Sequence, residues 1–417
     1  MNFVAIVGAG LGGCALAIAL AKERIPVTIY ESRLKDTEVI HSGVVLSPNG
    51  LRVLSQLGLY ERIRDRCYVS NYRTFKNDRD ETVKKVISAD KSIHGFCNHR
   101  IWRSILLDEM KSVLAEYCVN VQYGSKFEGI MEDNERGVTF LINGERKHAA
   151  LLIGSDGIYS TVRQHIDPDV EPYYTGVTAV LAHIKRNSVA WPYEDYERNA
   201  TIQGKPNAIF FIPEDPEAEV IMTGLQVQYP QQSREDLEKM QADKDQLAEF
   251  YRKGYEEHGP TARSIIDAVV ANKQSSYIWP FLKMPTLKQW YSDSGRVIIM
   301  GDAAHALPPS SAQGVNQALE DAYTFTLLLS SFGALDTIET SKWLAGLASW
   351  QDRRQQRIDA IFDWATNVTN VARLPADERV RLAAEGKLKG RDGQDDMSWL
   401  YGYDAKRDFE YSSQRAA

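Results

Sequence analysis

The sequence Gly-Ala-Gly-Leu-Gly-Gly occupies residues 8–13, directly after an apolar run at residues 3–7 and directly before an alanine-rich stretch at residues 14–23. A second apolar run at residues 27–30 follows and leads to Glu31. Short apolar runs bounded by turn residues indicate buried strands, and an alanine-rich stretch favours a helix. This order predicts that the chain begins with a strand, a glycine turn, a helix and a second strand, which together form a βαβ unit.

The glycines of this turn have the spacing G-x-G-x-x-G at Gly8, Gly10 and Gly13. Glycines at these positions let backbone N–H groups approach a pyrophosphate at the N-terminus of the following helix. Glu31 comes about twenty residues later, where an acid can accept hydrogen bonds from ribose hydroxyls. Because the glycines, the helix and the acid occur together, the unit predicts a nucleotide-binding site.

The composition is that of an ordinary globular protein. The chain has 417 residues, of which 43% are hydrophobic and 25% are charged, and this length is enough for two or three domains. A formal net charge of -7 gives no basic field for nucleic acid or for an anionic membrane surface. The expected partner is a small neutral or weakly acidic molecule, and the protein is expected to be a monomer or a homodimer.

The cysteines form no C-x-x-C pair and no Cys/His cluster. A disulfide framework and a metal site are therefore not expected. The sequence begins without the pattern of a secretory signal, and no apolar run reaches the roughly 20 residues that span a bilayer. A cytoplasmic location is the resulting expectation.

The rest of the chain mixes helical and strand patterns. Helices are predicted at about residues 49–66, at residues 102–110 and from about residue 313 to the C-terminus. Between about residues 172 and 280, alternating runs bounded by prolines predict an antiparallel sheet, with a charged helix at residues 234–257. The predicted fold class is therefore α/β plus an antiparallel sheet.

Further motifs follow predicted strands or begin predicted helices. Gly-Ser-Asp-Gly at residues 154–157 contains Asp156, which can also be read as the cap of a turn. Gly-Asp-Ala-Ala-His at residues 301–305 contains Asp302 and leads to Gly-Val-Asn at residues 314–316. Arg103 begins the helical pattern Arg-Ser-Ile-Leu-Leu, with Arg100 as a nearby competitor for the same role.

Together with the first βαβ unit, these motifs have the order and spacing of the class A flavoprotein aromatic hydroxylases. The chain closely resembles this family of p-hydroxybenzoate, salicylate and 6-hydroxynicotinate hydroxylases. The resemblance implies that FAD is the cofactor, and no histidine or cysteine anchor is evident, so the FAD is expected to be non-covalent. Beyond the first unit, the expected cofactor-binding residues are Val45, Arg103, Asp156, Asp302, Gly314, Val315 and Asn316.

The resemblance also implies a role for several of these residues. Asp302 is expected to bond the ribityl chain, and Arg103 is expected to reach the FAD phosphates. Residues 314–316 are expected against the isoalloxazine ring, where a helix N-terminus would stabilise the anion of the reduced flavin.

The motifs and the resemblance divide the chain into a Rossmann-like FAD-binding domain interleaved with a β-sheet substrate domain, followed by a helical C-terminal region. The FAD-binding domain is expected at residues 1–72, 98–171 and 281–340. The substrate domain is expected at residues 73–97 and 172–280, and the helical region at residues 341–417.

The activity that the resemblance implies is insertion of one atom of O₂ into an electron-rich aromatic or indole-like molecule, through a C4a-hydroperoxyflavin. NADH or NADPH is expected to dock transiently as the reductant, because the sequence has no second glycine-rich βαβ unit. The alternative is a flavin-dependent reductase or dehydrogenase without oxygen insertion. A halogenase is disfavoured because its W-x-W-x-I-P segment is missing, and a non-catalytic protein is disfavoured because all the FAD motifs are intact.

The sequence defines the substrate less well than the cofactor. The nicotinate-type relatives carry a histidine near Val45 and another near Ser310, and aromatic-acid hydroxylases often carry an arginine near Leu181. None of these three side chains occurs here, so a benzoate-like or pyridinol-like substrate is not favoured. His183 is the candidate base or hydrogen-bond partner for a substrate phenol or indole N–H. A histidine of the core or the surface is the competing interpretation.

Overall fold

A computed structural model of the protein describes residues 3–37, 42–335, 338–365, 381, 384–385 and 397–416. Its strands are β1 (Val4–Val7), β2 (Val27–Tyr30), β3 (Gly43–Leu46), β4 (Tyr68–Ser70), β5 (Tyr72–Lys76), β6 (Thr82–Ile87), β7 (Asn98–Trp102), β8 (Asn120–Gln122), β9 (Phe127–Asn134), β10 (Gly137–Ile142), β11 (Glu145–Ala149), β12 (Leu151–Gly154), β13 (Tyr173–Lys185), β14 (Ala200–Gln203), β15 (Ala208–Pro213), β16 (Val220–Gln228), β17 (Tyr277–Lys283) and β18 (Val297–Ile299).

Helices lie between these strands and form most of the C-terminal part. They are α1 (Leu11–Lys22), α2 (Pro48–Gln56), α3 (Tyr60–Ile63), α4 (Lys91–His94), α5 (Arg103–Glu116), α6 (Arg163–Ile166), α7 (Arg234–Ala242), α8 (Lys244–Arg252), α9 (Pro260–Ala271), α10 (Asp302–His305), α11 (Gly314–Ser331), α12 (Thr340–Trp364), α13 (Ser398–Tyr401) and α14 (Ala405–Ala416). The fold is therefore mixed α/β with several sheets, as the sequence predicts.

The predicted βαβ unit forms the centre of a parallel sheet. The strand order of this sheet is β18-β12-β1-β2-β8, and every neighbouring pair is parallel. Its central strand β1 is buried along its whole length, as expected for a strand covered on both faces. The apolar helix α1 packs against α5 and α11. The glycine turn joins the end of β1 to α1, so it lies at the carboxyl edge of the sheet.

A second, seven-stranded sheet has the order β17-β13-β16-β15-β14-β5-β6. Its strand pairs are antiparallel except for the parallel pair of β14 with β5. The antiparallel sheet predicted for the middle of the chain is thus present, and it also includes β5 and β6 from the earlier part of the chain. Two further sheets are three-stranded, with the orders β11-β10-β9 and β3-β7-β4.

The two faces of β13 belong to different environments. Val180, Ala182 and Ile184 lie in a hydrophobic core with α8 and α9, whereas Ala179 and Leu181 belong to a smaller apolar cluster with Tyr277 and Phe281. Side chains alternate between the faces of a strand, so one face of this sheet builds the domain core. The other face is free to form the wall of a cavity.

Two helix predictions need correction. The predicted helix at residues 49–66 is divided into α2 and α3, because Gly58 adopts a left-handed conformation with φ of 80° that ends the first helix. The predicted helix at residues 234–257 is divided at Asp243, whose side chain caps the N-terminus of α8 by accepting from the backbone N–H of Gln246. Among the described helices, none has both the length and the apolar character needed to cross a membrane.

Candidate active site

A large cavity lies between the seven-stranded sheet, the strands β3 and β7, and the segment from Asp302 to Val315. Its volume is about 1730 Å³, which exceeds the roughly 300–1,000 Å³ of a pocket for one small ligand. The sheet contributes an apolar wall to the cavity, formed by Ala179, Leu181, Phe210, Met222, Tyr277, Trp279 and Phe281. The cavity therefore has room for parts of two ligands side by side.

The glycine turn and Glu31 meet at the carboxyl edge of the parallel sheet. The carboxylate of Glu31 accepts a hydrogen bond from the backbone N–H of Ala9 at 2.8 Å. A Cβ on Gly13 would lie 2.1 Å from the carbonyl oxygen of Gly8, whereas a Cβ on Gly10 would meet nothing within 4 Å. Gly13 is thus required for close packing of α1, and Gly10 leaves open space in front of the N-terminus of the helix, as a pyrophosphate site needs.

Asp302 and Arg103 both lie at the wall of the cavity, near enough for their charges to interact. Both residues line it, and among the described residues the carboxylate of Asp302 has no hydrogen-bond or ion-pair partner. Burial raises the pKa of Asp302, while His305 and Arg103 oppose the shift. The carboxylate of Asp302 can therefore accept hydrogen bonds from the hydroxyls of a ligand in the cavity.

The N-terminus of α11 forms another part of the wall. Gly314 and Val315 line the cavity, as does Val45 on β3. Asn316 lies behind them and is completely buried. Its Oδ1 accepts from the backbone N–H of Ser47 at 3.0 Å, and its Nδ2 donates to the carbonyl of Val45 at 3.0 Å. The side chain of Asn316 therefore braces β3 against α11 and is not itself part of the cavity wall.

Asp156 does not line the cavity. Its Oδ2 accepts hydrogen bonds from the backbone N–H groups of Thr161 at 2.8 Å and Val162 at 3.2 Å. The side chain therefore caps the turn after β12, and Ile158 of the same turn does reach the cavity. A direct contact of Asp156 with a ligand stays a prediction.

Comparison with known proteins explains this arrangement. The sequence profile of the family described as FAD binding domain matches residues 2–365. The chain belongs to this family. The resemblance to the class A flavoprotein hydroxylases is confirmed, and FAD is the cofactor that the family binds.

Several relatives of this FAD-binding chain have named activities. The FAD-dependent monooxygenase OpS4 of Beauveria bassiana is 25% identical, covering 96% of this chain and 94% of its own. The 6-hydroxynicotinate 3-monooxygenase of Pseudomonas fluorescens is 23% identical, covering 79% and 83%.

Solved structures share the fold of this FAD-binding chain. A structure of CtdE in complex with FAD and a substrate has a TM-score of 0.78 at 18% identity, and it covers 100% of this chain and 98% of that one. A structure of Klebsiella pneumoniae HpxO with FAD and uric acid has a TM-score of 0.75 at 19% identity, with 98% and 95% covered.

The structure places His183 behind the wall of the cavity. Its Nε2 lies 2.9 Å from Oε1 of the buried Glu214, and its ring stacks on Tyr277 with centroids 5.8 Å apart. Tyr277 lines the cavity, whereas His183 does not. The predicted contact of His183 with a substrate therefore has no support from its position, and Tyr277 is the polar side chain of this stack that a ligand can reach.

The sequence analysis missed the partner of His183. Glu214 forms a bidentate ion pair with Arg100, with distances of 2.9 Å from Nε to Oε2 and 2.6 Å from Nη2 to Oε1. Burial acts to raise the pKa of Glu214, but Arg100 and His183 outweigh it and the pKa is lowered. Arg100 is thereby paired at the cavity wall, which makes it a weaker candidate than Arg103 for binding a cofactor phosphate.

A second buried cluster supports the turn that carries Asp302. Asp321 on α11 accepts a hydrogen bond from the backbone N–H of Gly301 at 2.9 Å and lies 2.5 Å from Nε2 of His305. Arg354 on α12 donates to Asp321 at 2.7 Å and to Glu320 at 2.6 Å. His305 is thus a structural partner of Asp321. The ion pairs of Arg354 hold α12 against α11, next to the turn that carries Asp302.

This cluster predicts a loss of stability in acid. Despite burial, His305 and Arg354 hold the pKa of Asp321 far below its ordinary value. A depressed native pKa stabilises the fold fully above the unfolded-state pKa of about 3.9, and this contribution is lost as the pH falls through the native pKa. The difference in urea midpoint between the wild-type protein and the Asp321→Asn variant should therefore be largest above about pH 5 and should shrink steadily as the pH falls below about 4. A difference that stays constant down to pH 3 would contradict this assignment.

Proposed function

We propose that this FAD-binding chain is an NAD(P)H-dependent flavoprotein monooxygenase that transfers one atom of O₂ to an electron-rich aromatic or indole-like small molecule. The observation that carries the proposal is that one cavity has two different walls. One wall presents Asp302, Arg103 and the N-terminus of α11, and the other is the apolar, aromatic face of the seven-stranded sheet. The named activities of the relatives, an FAD-dependent monooxygenase and a 6-hydroxynicotinate 3-monooxygenase, support the same class of reaction.

In this proposal the FAD is held by non-covalent contacts along the edge of the parallel sheet. Gly8, Gly10, Gly13 and Glu31 hold the adenosine and pyrophosphate end, and Arg103 reaches the phosphates from the N-terminus of α5. Asp302 accepts from the ribityl hydroxyls. The isoalloxazine ring is bounded by Val45, Gly314 and Val315. Asp156 and Asn316 support the FAD site indirectly, because Asp156 caps the turn after β12 and Asn316 holds β3 against α11.

We propose the same division into domains as the sequence predicts, and the two larger sheets support it. The parallel sheet serves as the FAD-binding part, drawn from residues 1–72, 98–171 and 281–340, and the seven-stranded sheet serves as the substrate part, drawn from residues 73–97 and 172–280. The pairing of β5 with β14 supports the assignment of residues 73–97 to the substrate part. For the proposed helical region at residues 341–417, α12 is joined to the FAD-binding part through Arg354, whereas residues 366–380, 382–383, 386–396 and 417 of that region lie outside the described residues.

Bound FAD supplies electron transfer from NAD(P)H and the activation of O₂, and the chain supplies position and electrostatics. The positive end of the α11 dipole lies at Gly314, where it favours negative charge on a neighbouring group. The apolar wall excludes water from the space between the sheet and α11, which strengthens these electrostatic effects. Phe210, Trp279 and Phe281 offer flat surfaces for stacking an aromatic substrate.

The test is turnover of the purified holoenzyme under ¹⁸O₂, with a panel of phenols, indoles and heteroaromatic compounds. Oxidation of NAD(P)H should be slow without substrate and should rise at least about tenfold with a suitable compound, which corresponds to about 1.4 kcal/mol in barrier height. The product of that turnover should carry one labelled oxygen. A well-coupled turnover that yields an unlabelled product would show the alternative, a reductase or dehydrogenase, while the FAD site would stand.

A further inference from the structure

The segment of residues 397–403 forms one part of the cavity wall. Its side chains Met397 and Tyr401 line the cavity, and both are buried. Residues 398–401 of this segment form the four-residue helix α13, which is too short to be stable by itself. Contacts with other parts of the chain must therefore hold these two side chains at the cavity wall.

Arg52 on α2 binds the main chain of this segment. Its Nη1 donates to the carbonyl oxygen of Tyr403 at 3.0 Å and to that of Tyr401, and its Nη2 donates to the carbonyl oxygen of His94. The last carbonyl groups of a helix have no partner within the helix, and an arginine at this end satisfies them and complements the helix dipole. All three acceptors belong to the main chain, so Arg52 fixes the path of the segment.

A second arginine, Arg357 on α12, binds the preceding carbonyl groups. It donates to the carbonyl oxygens of Trp399 at 3.1 Å and Leu400 at 2.9 Å, and its guanidinium carbon lies 3.9 Å from the centroid of the Tyr403 ring. Arg357 also forms a bidentate ion pair with the buried Glu320. Two guanidinium groups thus bind four carbonyl groups of one short segment, which fixes its position at the cavity wall.

Tyr401 lies far from Asp302 along the cavity. The Tyr401 side chain is hydrogen-bonded to Asn98, the first residue of β7, and its ring packs edge to face on His94 with centroids 5.6 Å apart. Arg103, whose charge interacts with Asp302, comes directly after the last residue of β7. Five residues of a strand span about 16 Å, so Tyr401 and Asp302 lie at opposite ends of the part of the cavity that follows β7.

The pairing of β3 with β7 indicates how much of this length a substrate can use. Val45, which bounds the proposed place of the isoalloxazine ring, lies opposite Arg100 on β7. Arg100 is two residues from Asn98, a distance of about 7 Å along the strand. This space has about the length of one aromatic ring with its substituent, so a longer substrate would meet Tyr401.

We propose that the segment of residues 397–403 limits the length of the substrate, with Tyr401 as the side chain that a long substrate meets and Arg52 as the residue that positions it. The proposal rests on the monooxygenase function proposed above and adds a specificity-determining residue to it. A substrate with a single ring or the size of an indole fits this space, whereas two rings in line do not.

The test is ligand binding to the holoenzyme, followed by the change in flavin absorbance. Phenol is titrated beside 4-phenylphenol, which carries a second ring in line with the first. We expect the wild-type protein to bind phenol, and we expect Tyr401→Ala to improve the affinity for 4-phenylphenol relative to phenol at least about tenfold. Tyr401→Phe should leave this ratio of affinities unchanged within about threefold, because the phenylalanine ring fills the same space without the hydroxyl.

The positioning role of Arg52 is tested with the same two ligands. Arg52→Met should move the ratio towards that of Tyr401→Ala, because the segment loses the donors that hold its carbonyl groups. Arg52→Lys should restore part of the wild-type ratio, because the ammonium group still donates hydrogen bonds. The matched control is Arg64→Met. Arg64 is an exposed arginine that pairs with Glu61 and does not line the cavity, so its replacement removes the same charge and should leave the ratio unchanged.

Several results would overturn the proposal. An unchanged ratio in Tyr401→Ala would show that the segment does not limit the ligand, and equal changes in Tyr401→Ala and Tyr401→Phe would assign the effect to the hydroxyl instead of the size of the ring. A parallel loss of affinity for both ligands in Arg52→Met would make Arg52 a structural residue only. If Arg52→Met does not retain FAD, the variants of Tyr401 and Arg52→Lys decide the question.

Failure of this proposal and failure of the proposed function give different results. A protein that binds phenol but inserts no oxygen under ¹⁸O₂ would contradict the proposed function, and the ratio of affinities would still decide the role of Tyr401, because binding needs no turnover. A protein that inserts oxygen but has the same ratio in all variants would contradict only the role of the segment. Absence of binding of both compounds to the wild-type protein and to every variant would overturn this proposal together with the proposed substrate class.

Discussion

The Asp302→Ala variant is expected to bind FAD about ten- to a hundredfold more weakly than the wild-type protein. Asp302 is a carboxylate at the cavity wall that no described residue satisfies, and in the proposed site it accepts hydrogen bonds from the ribityl hydroxyls. Hydrogen bonds to a charged group contribute about 1.5 to 3 kcal/mol, which corresponds to one to two decades in affinity. The measurement is the Kd from quenching of flavin fluorescence as FAD is added to the apoprotein.

Two further variants make this result specific. Asp302→Asn keeps one acceptor oxygen and should lie between wild type and Asp302→Ala. Asp293→Ala removes an exposed acid from the chain just before β18 and should bind FAD as the wild-type protein does. An Asp302→Ala variant with wild-type affinity for FAD would remove Asp302 from the cofactor site. His305→Ala would not serve as a control, because His305 bonds to Asp321.

The parts of the fold that the sequence predicts best are those specified by local pattern. β1 and β2 lie where the apolar runs predict them, and α1 begins already at Leu11 because part of the glycine turn is helical. Glu31 meets the turn because β1 and β2 are parallel neighbours, so their carboxyl ends lie side by side. In such a βαβ unit, the number of residues between the glycine turn and Glu31 is enough to predict that the two lie close together.

The parts that the sequence does not predict depend on pairing between distant strands. Arg73 faces the cavity because β5 joins β14 in parallel, with Ala200 opposite Thr74. A shift by one residue would turn Arg73 away from the cavity, and no local pattern specifies that register. The ion pair of Arg100 with Glu214 likewise joins β7 to the end of β15, so neither partner indicates the other in the sequence.

The strongest destabilisation is expected from replacing Arg354. Arg354 is 1% exposed, and its guanidinium donates to the completely buried Glu320 and Asp321. The Arg354→Met variant would keep most of the side-chain volume but leave these carboxylates with less compensation in an apolar interior. Removing one partner of a buried ion pair typically costs about 3 to 5 kcal/mol. Urea unfolding of the holoenzyme, followed by circular dichroism, measures the shift in midpoint.

The control and the decisive comparison lie on the same helix. Arg353 precedes Arg354 on α12, and its Nη1 donates only to Ser349 of that helix in the described structure, so Arg353→Met should change stability by less than about 0.5 kcal/mol. Combining Arg354→Met with Asp321→Asn should recover part of the loss, because the second change removes the carboxylate that the first leaves uncompensated. Strictly additive losses in the double variant, or equal effects of Arg353→Met and Arg354→Met, would show that charge pairing between α11 and α12 does not stabilise the turn that carries Asp302.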